Sequence, residues 1–90
     1  MNYRKTYTFN CYADPGHSWV RVSKDFLARL GIEKLISPYS YMRGNYAYLE
    51  EDCDYGILYT NMKDRGIGIK NKMHYSEKRS KIRNYESYKV

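Results

Sequence analysis

The chain has 90 residues, 42% of them hydrophobic and 29% charged, with a net charge of +6. That length holds one domain and one core, and the composition is too apolar for a chain disordered throughout. No apolar run reaches the ~18 residues of a membrane span, and two cysteines are too few for a disulfide framework or a four-cysteine zinc site.

The opening residues, Met1 to Thr6, lack the apolar stretch of a signal peptide, so the protein is expected in the cytoplasm with its thiols reduced. Residues 3–12 alternate. Tyr3, Lys5, Tyr7, Phe9 and Cys11 share one face, and Arg4, Thr6, Thr8 and Asn10 share the other, which reads as a strand. Asp14-Pro15-Gly16-His17 fits a type II turn, with proline second and glycine third. Trp19 to Val22 then forms the return strand. Ser23 is placed to cap a helix over residues 24–30, stapled by Val22 and Leu27 and stopped at Gly31. Ile32, Leu35 and Ile36 extend the apolar content toward Pro38.

Residues 39–43 and 46–50 flank Gly44-Asn45, a two-residue turn of the glycine-first kind. That register pairs Arg43 with Tyr46, Met42 with Ala47, Tyr41 with Tyr48 and Ser40 with Leu49. It puts Tyr41, Tyr46, Tyr48 and Arg43 on one face, with Tyr39 diagonal to them. Met42, Ala47, Leu49 and Ser40 occupy the other. The acidic run Glu50-Glu51-Asp52-Cys53-Asp54 suits a helix start, because carboxylates complement the partial positive charge there. Cys53, Ile57, Leu58 and Met62 give its buried stripe, and both Cys11 and Cys53 are expected as small apolar core fillers. Gly66 ends the helix. Ile67, Ile69, Met73 and Tyr75 then alternate with Gly68, Lys70, Lys72 and His74, an apolar face inward and a basic face outward.

The order is β-β-α-β-β-α-β. The expected fold is a single α+β domain: a mostly antiparallel sheet with two helices packed on one face. The core domain covers residues 1–77. Residues 78–90 form a basic, tyrosine-containing tail, docked or flexible, with Ile82, Tyr85 and Tyr88 as its anchors. Charge is lopsided. Residues 1–65 carry a net +1, and residues 66–90 carry +5. Such asymmetry favours a polyanion or an acidic protein surface as partner. Twelve tyrosines add half-polar plates suited to interfaces.

No motif carries catalysis. The glycines of Arg65-Gly66-Ile67-Gly68-Ile69 follow a helix rather than a strand, the wrong order for a dinucleotide fingerprint. His17 and His74 lack a cysteine or second histidine at zinc-ligand spacing. A Cys–His nucleophile pair finds both cysteines on apolar stripes, and the acidic run is explained by helix capping, though with His17 it can also be read as a chelating or hydrolytic group. The chain is therefore expected not to be an enzyme and to use no metal or cofactor. The candidate binding surface is Tyr39, Tyr41, Arg43, Tyr46 and Tyr48, left bare if the helices cover the Met42 face. It is extended by Lys70, Lys72 and His74 and by the tail residues Arg79, Lys81, Arg83 and Tyr85.

The segments Tyr12-Ala13-Asp14-Pro15-Gly16-His17 with Trp19, Tyr48-Leu49-Glu50-Glu51-Asp52-Cys53-Asp54, and Arg79 with Ile82-Arg83-Asn84-Tyr85 resemble the landmarks of a family of small uncharacterised accessory proteins of tailed phages and other bacterial mobile elements. The resemblance spans most of the chain and brings no established activity. It implies a bacterial host cytoplasm and a part in host takeover or counter-defence, by steric occlusion or by sequestering a ligand. The expected function is thus a non-catalytic accessory protein, a counter-defence inhibitor of the anti-CRISPR kind that binds and occludes a host immune protein or its ligand. The alternative is a small basic nucleic-acid- or nucleotide-binding module using its Tyr/Arg/Lys surface. Expected partners are a host or defence-system protein, or else nucleic acid. No membrane is expected, and a homo-oligomer is left open.

Overall fold

A computed structural model describes residues 5–90; Tyr3 and Arg4, where the alternation starts, lie outside the described residues. Strands β1 (Lys5–Ala13) and β2 (Ser18–Ser23) lead into helix α1 (Lys24–Leu30). Strands β3 (Tyr41–Arg43) and β4 (Tyr46–Glu50) lead into helix α2 (Tyr55–Asp64) and strand β5 (Ile67–Tyr75). A short 3₁₀ helix (Lys81–Asn84) and strand β6 (Glu86–Ser87) follow. The strands form one sheet in the order β5-β1-β2-β4-β3-β6. It is mostly antiparallel, as expected, with one exception: α2 carries the chain across the sheet, so β5 runs parallel to β1 along all nine pairs from Lys5–Ile67 to Ala13–Tyr75. The sixth strand, two residues long, is too short to carry any periodicity.

Local rules hold well at α1. The Ser23 side chain accepts from Phe26 N at 3.0 Å, and Gly31 adopts φ +73° as the left-handed stop. The β3–β4 hairpin has the expected register, Tyr41–Tyr48, Met42–Ala47 and Arg43–Tyr46, with Gly44 at φ +58°. The helix-side core joins Leu27, Leu30, Leu58 and Met62 of the helices to Phe9, Cys11, Val20, Val22, Met42, Ala47 and Leu49 of the sheet. Each Val, Leu, Phe or Met among them, fully removed from water, stabilises the fold by roughly 1.5–3 kcal/mol.

Four expectations are corrected. The turn after β1 is not type II, since Gly16 does not have a positive φ. Instead the Asp14 carboxylate accepts from Gly16 N and His17 N, each at 3.0 Å, an Asx turn that leaves the glycine free of that demand. A Cβ at Gly16 would lie 2.7 Å from Arg83 Nη2, so a larger residue there would push on the guanidinium that pairs with Asp14. Helix α2 starts at Tyr55 rather than at the acidic run. Glu50 belongs to β4, and Asp54 is buried, accepting from Ser37 N (3.0 Å), Ser37 Oγ (2.7 Å) and Ser40 Oγ (2.5 Å). Cys53 is consequently exposed in the intervening turn, and only Cys11 is a buried filler. Met73 and Tyr75 are also exposed, because α2 covers only the first half of β5; its reach ends where Asn71 donates to the Tyr55 hydroxyl at 3.1 Å.

The fourth correction matters most for function. The tyrosine face of the sheet is not bare. Residues 78–90 fold back over it, and Ile82 is buried against Trp19 and Tyr48, with Tyr12, Tyr41 and Tyr85 packed around them. From there the chain passes the β3 edge. Tyr88 N donates to Ser40 O at 2.8 Å, and the buried Tyr88 ring joins the helix-side core, its hydroxyl donating to Glu33 O at 2.7 Å. The end of the chain thus binds both faces of the sheet.

Candidate functional site

One carboxylate anchors the start of the C-terminal segment, beside the packing of Ile82 and the contacts of Tyr88. Asp14 Oδ2 accepts from Arg83 Nε (2.8 Å) and Ser80 N (2.9 Å), and Oδ1 accepts from Arg83 Nη2 (2.8 Å), in addition to the two turn amides. Bidentate pairing of this kind is among the stronger protein hydrogen-bonding arrangements. The Arg83 guanidinium, and then the Ser80 amide, hold the Asp14 carboxyl well below the usual carboxylate range. Arg83 also lies over the Trp19 ring, 5.3 Å from its centroid. Arg83 therefore serves the tail's attachment.

The other expected site residues divide by position. Tyr48 is buried, and its hydroxyl is pushed above the ordinary tyrosine range by that burial. Tyr41 and Tyr85 are half-buried: Tyr41 edges Trp19 at 6.2 Å, and Tyr85 edges Tyr48 at 5.1 Å. Arg43 sits 5.1 Å over the Tyr85 ring and so braces the tail. Tyr39 precedes β3 in a turn, highly exposed and apart from the tyrosine cluster. Tyr46 is at the open margin, with the Arg21 guanidinium 3.6 Å above its ring. Lys70, Lys72, His74, Arg79 and Lys81 are all exposed.

What the tail leaves open is the face of β5, β1 and the near side of β2. Register puts Lys70, Lys72 and His74 of β5 beside Thr8, Asn10 and Tyr12 of β1. His74 stacks on Tyr12 at 5.0 Å and 17°, and its Nε2 contacts Asn10 Oδ1 at 3.1 Å. Arg21 faces the same side from β2, since Val20 and Val22 point into the helix-side core. Strands β1, β2 and β5 contain no carboxylate at all, while on this face they carry Arg21, Lys70 and Lys72. Two recesses open on this face at the margin of the tail. One, of about 380 Å³, lies between Tyr12, His74, Arg79 and Lys81. The other, of about 330 Å³, lies between Tyr12, Arg21, Tyr48, Lys81 and Tyr85.

Sequence reasoning passed over Tyr12, Asn10 and Arg21 as site residues. The signal was present: Tyr12 continues the period of Thr6, Thr8 and Asn10, and Arg21 alternates with two valines. Elsewhere, among the described residues, His17, Glu50 and Asp52 each place one ligand-type atom within 4.8 Å of the others. Within that group His17 Nδ1 lies 3.3 Å from Glu50 Oε1. The two thiols contact Phe9 O and Ser37 Oγ, and burial raises the Cys11 thiol further from the thiolate form that nucleophilic chemistry needs. No helix is long and apolar enough to cross a membrane. No known protein family, curated protein or solved structure matches the chain.

Proposed function

We propose that this is a non-catalytic binding protein that holds a single-stranded nucleic acid against the open face of β5, β1 and β2. The observation that carries the proposal is the charge and ring content of that face: Lys70, Lys72 and Arg21 lie with the Tyr12–His74 stack on three strands without a carboxylate, and Lys81 of the tail adds a fourth cation at their margin. Cations there neutralise phosphates, and planar rings offer sequence-tolerant stacking to bases, the combination that single-strand binders use. A protein that sequesters nucleic acid also fits the mobile-element context implied by the sequence motifs, since nucleic acid is the ligand of many host immune effectors. Occlusion of a host protein by the tyrosine cluster is the alternative. It is favoured less, because Ile82 and Tyr85 already occupy most of that cluster.

Lys70→Glu combined with Lys72→Glu is expected to weaken binding of a fluorescent single-stranded oligonucleotide at least about tenfold at low salt. It should also flatten the plot of log affinity against log salt by about 1.4, two phosphate contacts at ~0.7 each. Anisotropy titrations at several salt concentrations check both. A wild-type protein that ignores the oligonucleotide, yet retains an acidic protein from nuclease-treated lysate through the same lysines, would replace nucleic acid by protein as the partner.

A further inference from the structure

The 330 Å³ recess beside the tail has features that a flat charged face does not need. Its floor is Tyr48, buried and fixed by Ile82 beneath the docked tail. Tyr12 and Tyr85 rise on either side, with ring centroids 6.4 Å and 5.1 Å from that of Tyr48. Three rings meeting at one recess make an aromatic box. Two cations line it, Arg21 and Lys81, and no carboxylate does. The Arg21 guanidinium is held in place by the Tyr46 ring under it, and among the described residues its Nε–H is closed off from solvent without a hydrogen-bond acceptor. Two cations at one recess without a carboxylate beside them favour an anionic ligand there. The volume lies at the small end of the ~300–1,000 Å³ range of ligand sites, room for one nucleotide and none for a duplex.

We infer that this recess is a slot for a single nucleotide of the bound strand. The base stacks on the Tyr12 and Tyr85 rings above Tyr48, and the adjoining phosphate accepts from the Lys81 ammonium, with the Arg21 guanidinium as a second positive charge lining the slot. The assignment rests on the nucleic-acid reading above and adds to it. The lysines of β5 follow the backbone, whereas the slot demands a base. Because Tyr85 and Lys81 come from the tail, the slot exists only while the tail is docked.

The test compares two labelled strands on the full chain: oligothymidylate of roughly 12 units, and a strand of equal length from which every base has been removed. Both carry the same phosphates, so the same salt slope is expected for both. The strand with bases is expected to bind at least about tenfold tighter. Tyr85→Leu keeps apolar bulk and should bring that ratio close to one, whereas Tyr85→Phe should preserve it. Trp19 emission confirms in each variant that the tail is still docked. Equal affinity of the two strands for the wild-type protein overturns the slot and leaves the backbone-binding reading standing. Binding of neither strand at about 50 mM salt overturns both.

Discussion

Asp14→Asn is expected to free the C-terminal segment, shift the emission of Trp19 to longer wavelength and lower the melting temperature by about 10 °C. Trp19 is the only tryptophan, and it lies 2% exposed beside Ile82 and Arg83, so its emission reports tail docking directly. The amide keeps the shape of the carboxylate but loses the charge that Arg83 requires, and it turns an N–H toward another donor. Far-UV circular dichroism should change little, because the helix-side core is built without this contact apart from Tyr88. Acid should act in the same direction. Arg83 and the Ser80 amide hold the Asp14 carboxyl below its ordinary value of about 3.9, so the folded state keeps the charge where the unfolded chain has already taken up a proton. That contribution is complete above about pH 4 and is lost progressively as pH falls below it. The difference in melting temperature between wild type and variant should therefore narrow from pH 7 toward pH 3. A Trp19 spectrum unmoved by Asp14→Asn would show that the tail is held by other contacts.

Tyr48→Ala is expected to cost about 3–5 kcal/mol of stability, a large part of what a domain of this size has. The ring is buried under Ile82 and in contact with Tyr12 and Tyr85, so truncation leaves a void in the Trp19–Tyr48–Ile82 cluster beneath the tail. Arg43→Ala, by contrast, removes an exposed side chain whose tail contact is the Tyr85 ring, and it should change stability by no more than about 0.5 kcal/mol. Chemical unfolding of both variants measures the two effects. A stable Tyr48→Ala protein that has lost its partner would return Tyr48 to the role of a contact residue and contradict the packing described above.

These two residues show what a single sequence can and cannot reveal. Features set by neighbours along the chain were legible. Ser23 and Gly31 bound α1, and Gly44 and Asn45 fix the β3–β4 register to the residue. The basic outward face of β5 followed from period two alone, and Lys70, Lys72 and His74 are indeed exposed. The acidic run misled because two physical roles share one composition. Carboxylates suit a helix start, but here Asp54 is a buried acceptor for Ser37 and Ser40, and Glu50 finishes a strand. The apolar spacing of Ile82, Tyr85 and Tyr88 pointed to a tail docked on the sheet, but which face it covers was illegible for a different reason. Asp14 and Arg83 lie 69 residues apart, and no periodicity links them. Alternation established that the tyrosines share a face. It could not show that Ile82 would cover that face, and so it drew attention to Tyr48 rather than to Tyr12 and Arg21. Much of the motif content has the same explanation. The YADPGH segment supplies Asp14 and the close approach at Gly16, and the IRNY segment supplies Ile82, Arg83 and Tyr85 that dock on it.

The most direct test of the nucleic-acid interface is a map of amide chemical shifts in isotope-labelled protein titrated with a short single-stranded oligonucleotide. The account predicts that the perturbed amides cluster at residues 8–12, 21, 70–74 and 79–85, on one face of the sheet, while those of α1 and α2 stay in place. Perturbations centred on the helices, or on the exposed Met73 and Tyr75 side of β5 without Tyr12 and Arg21, would contradict it.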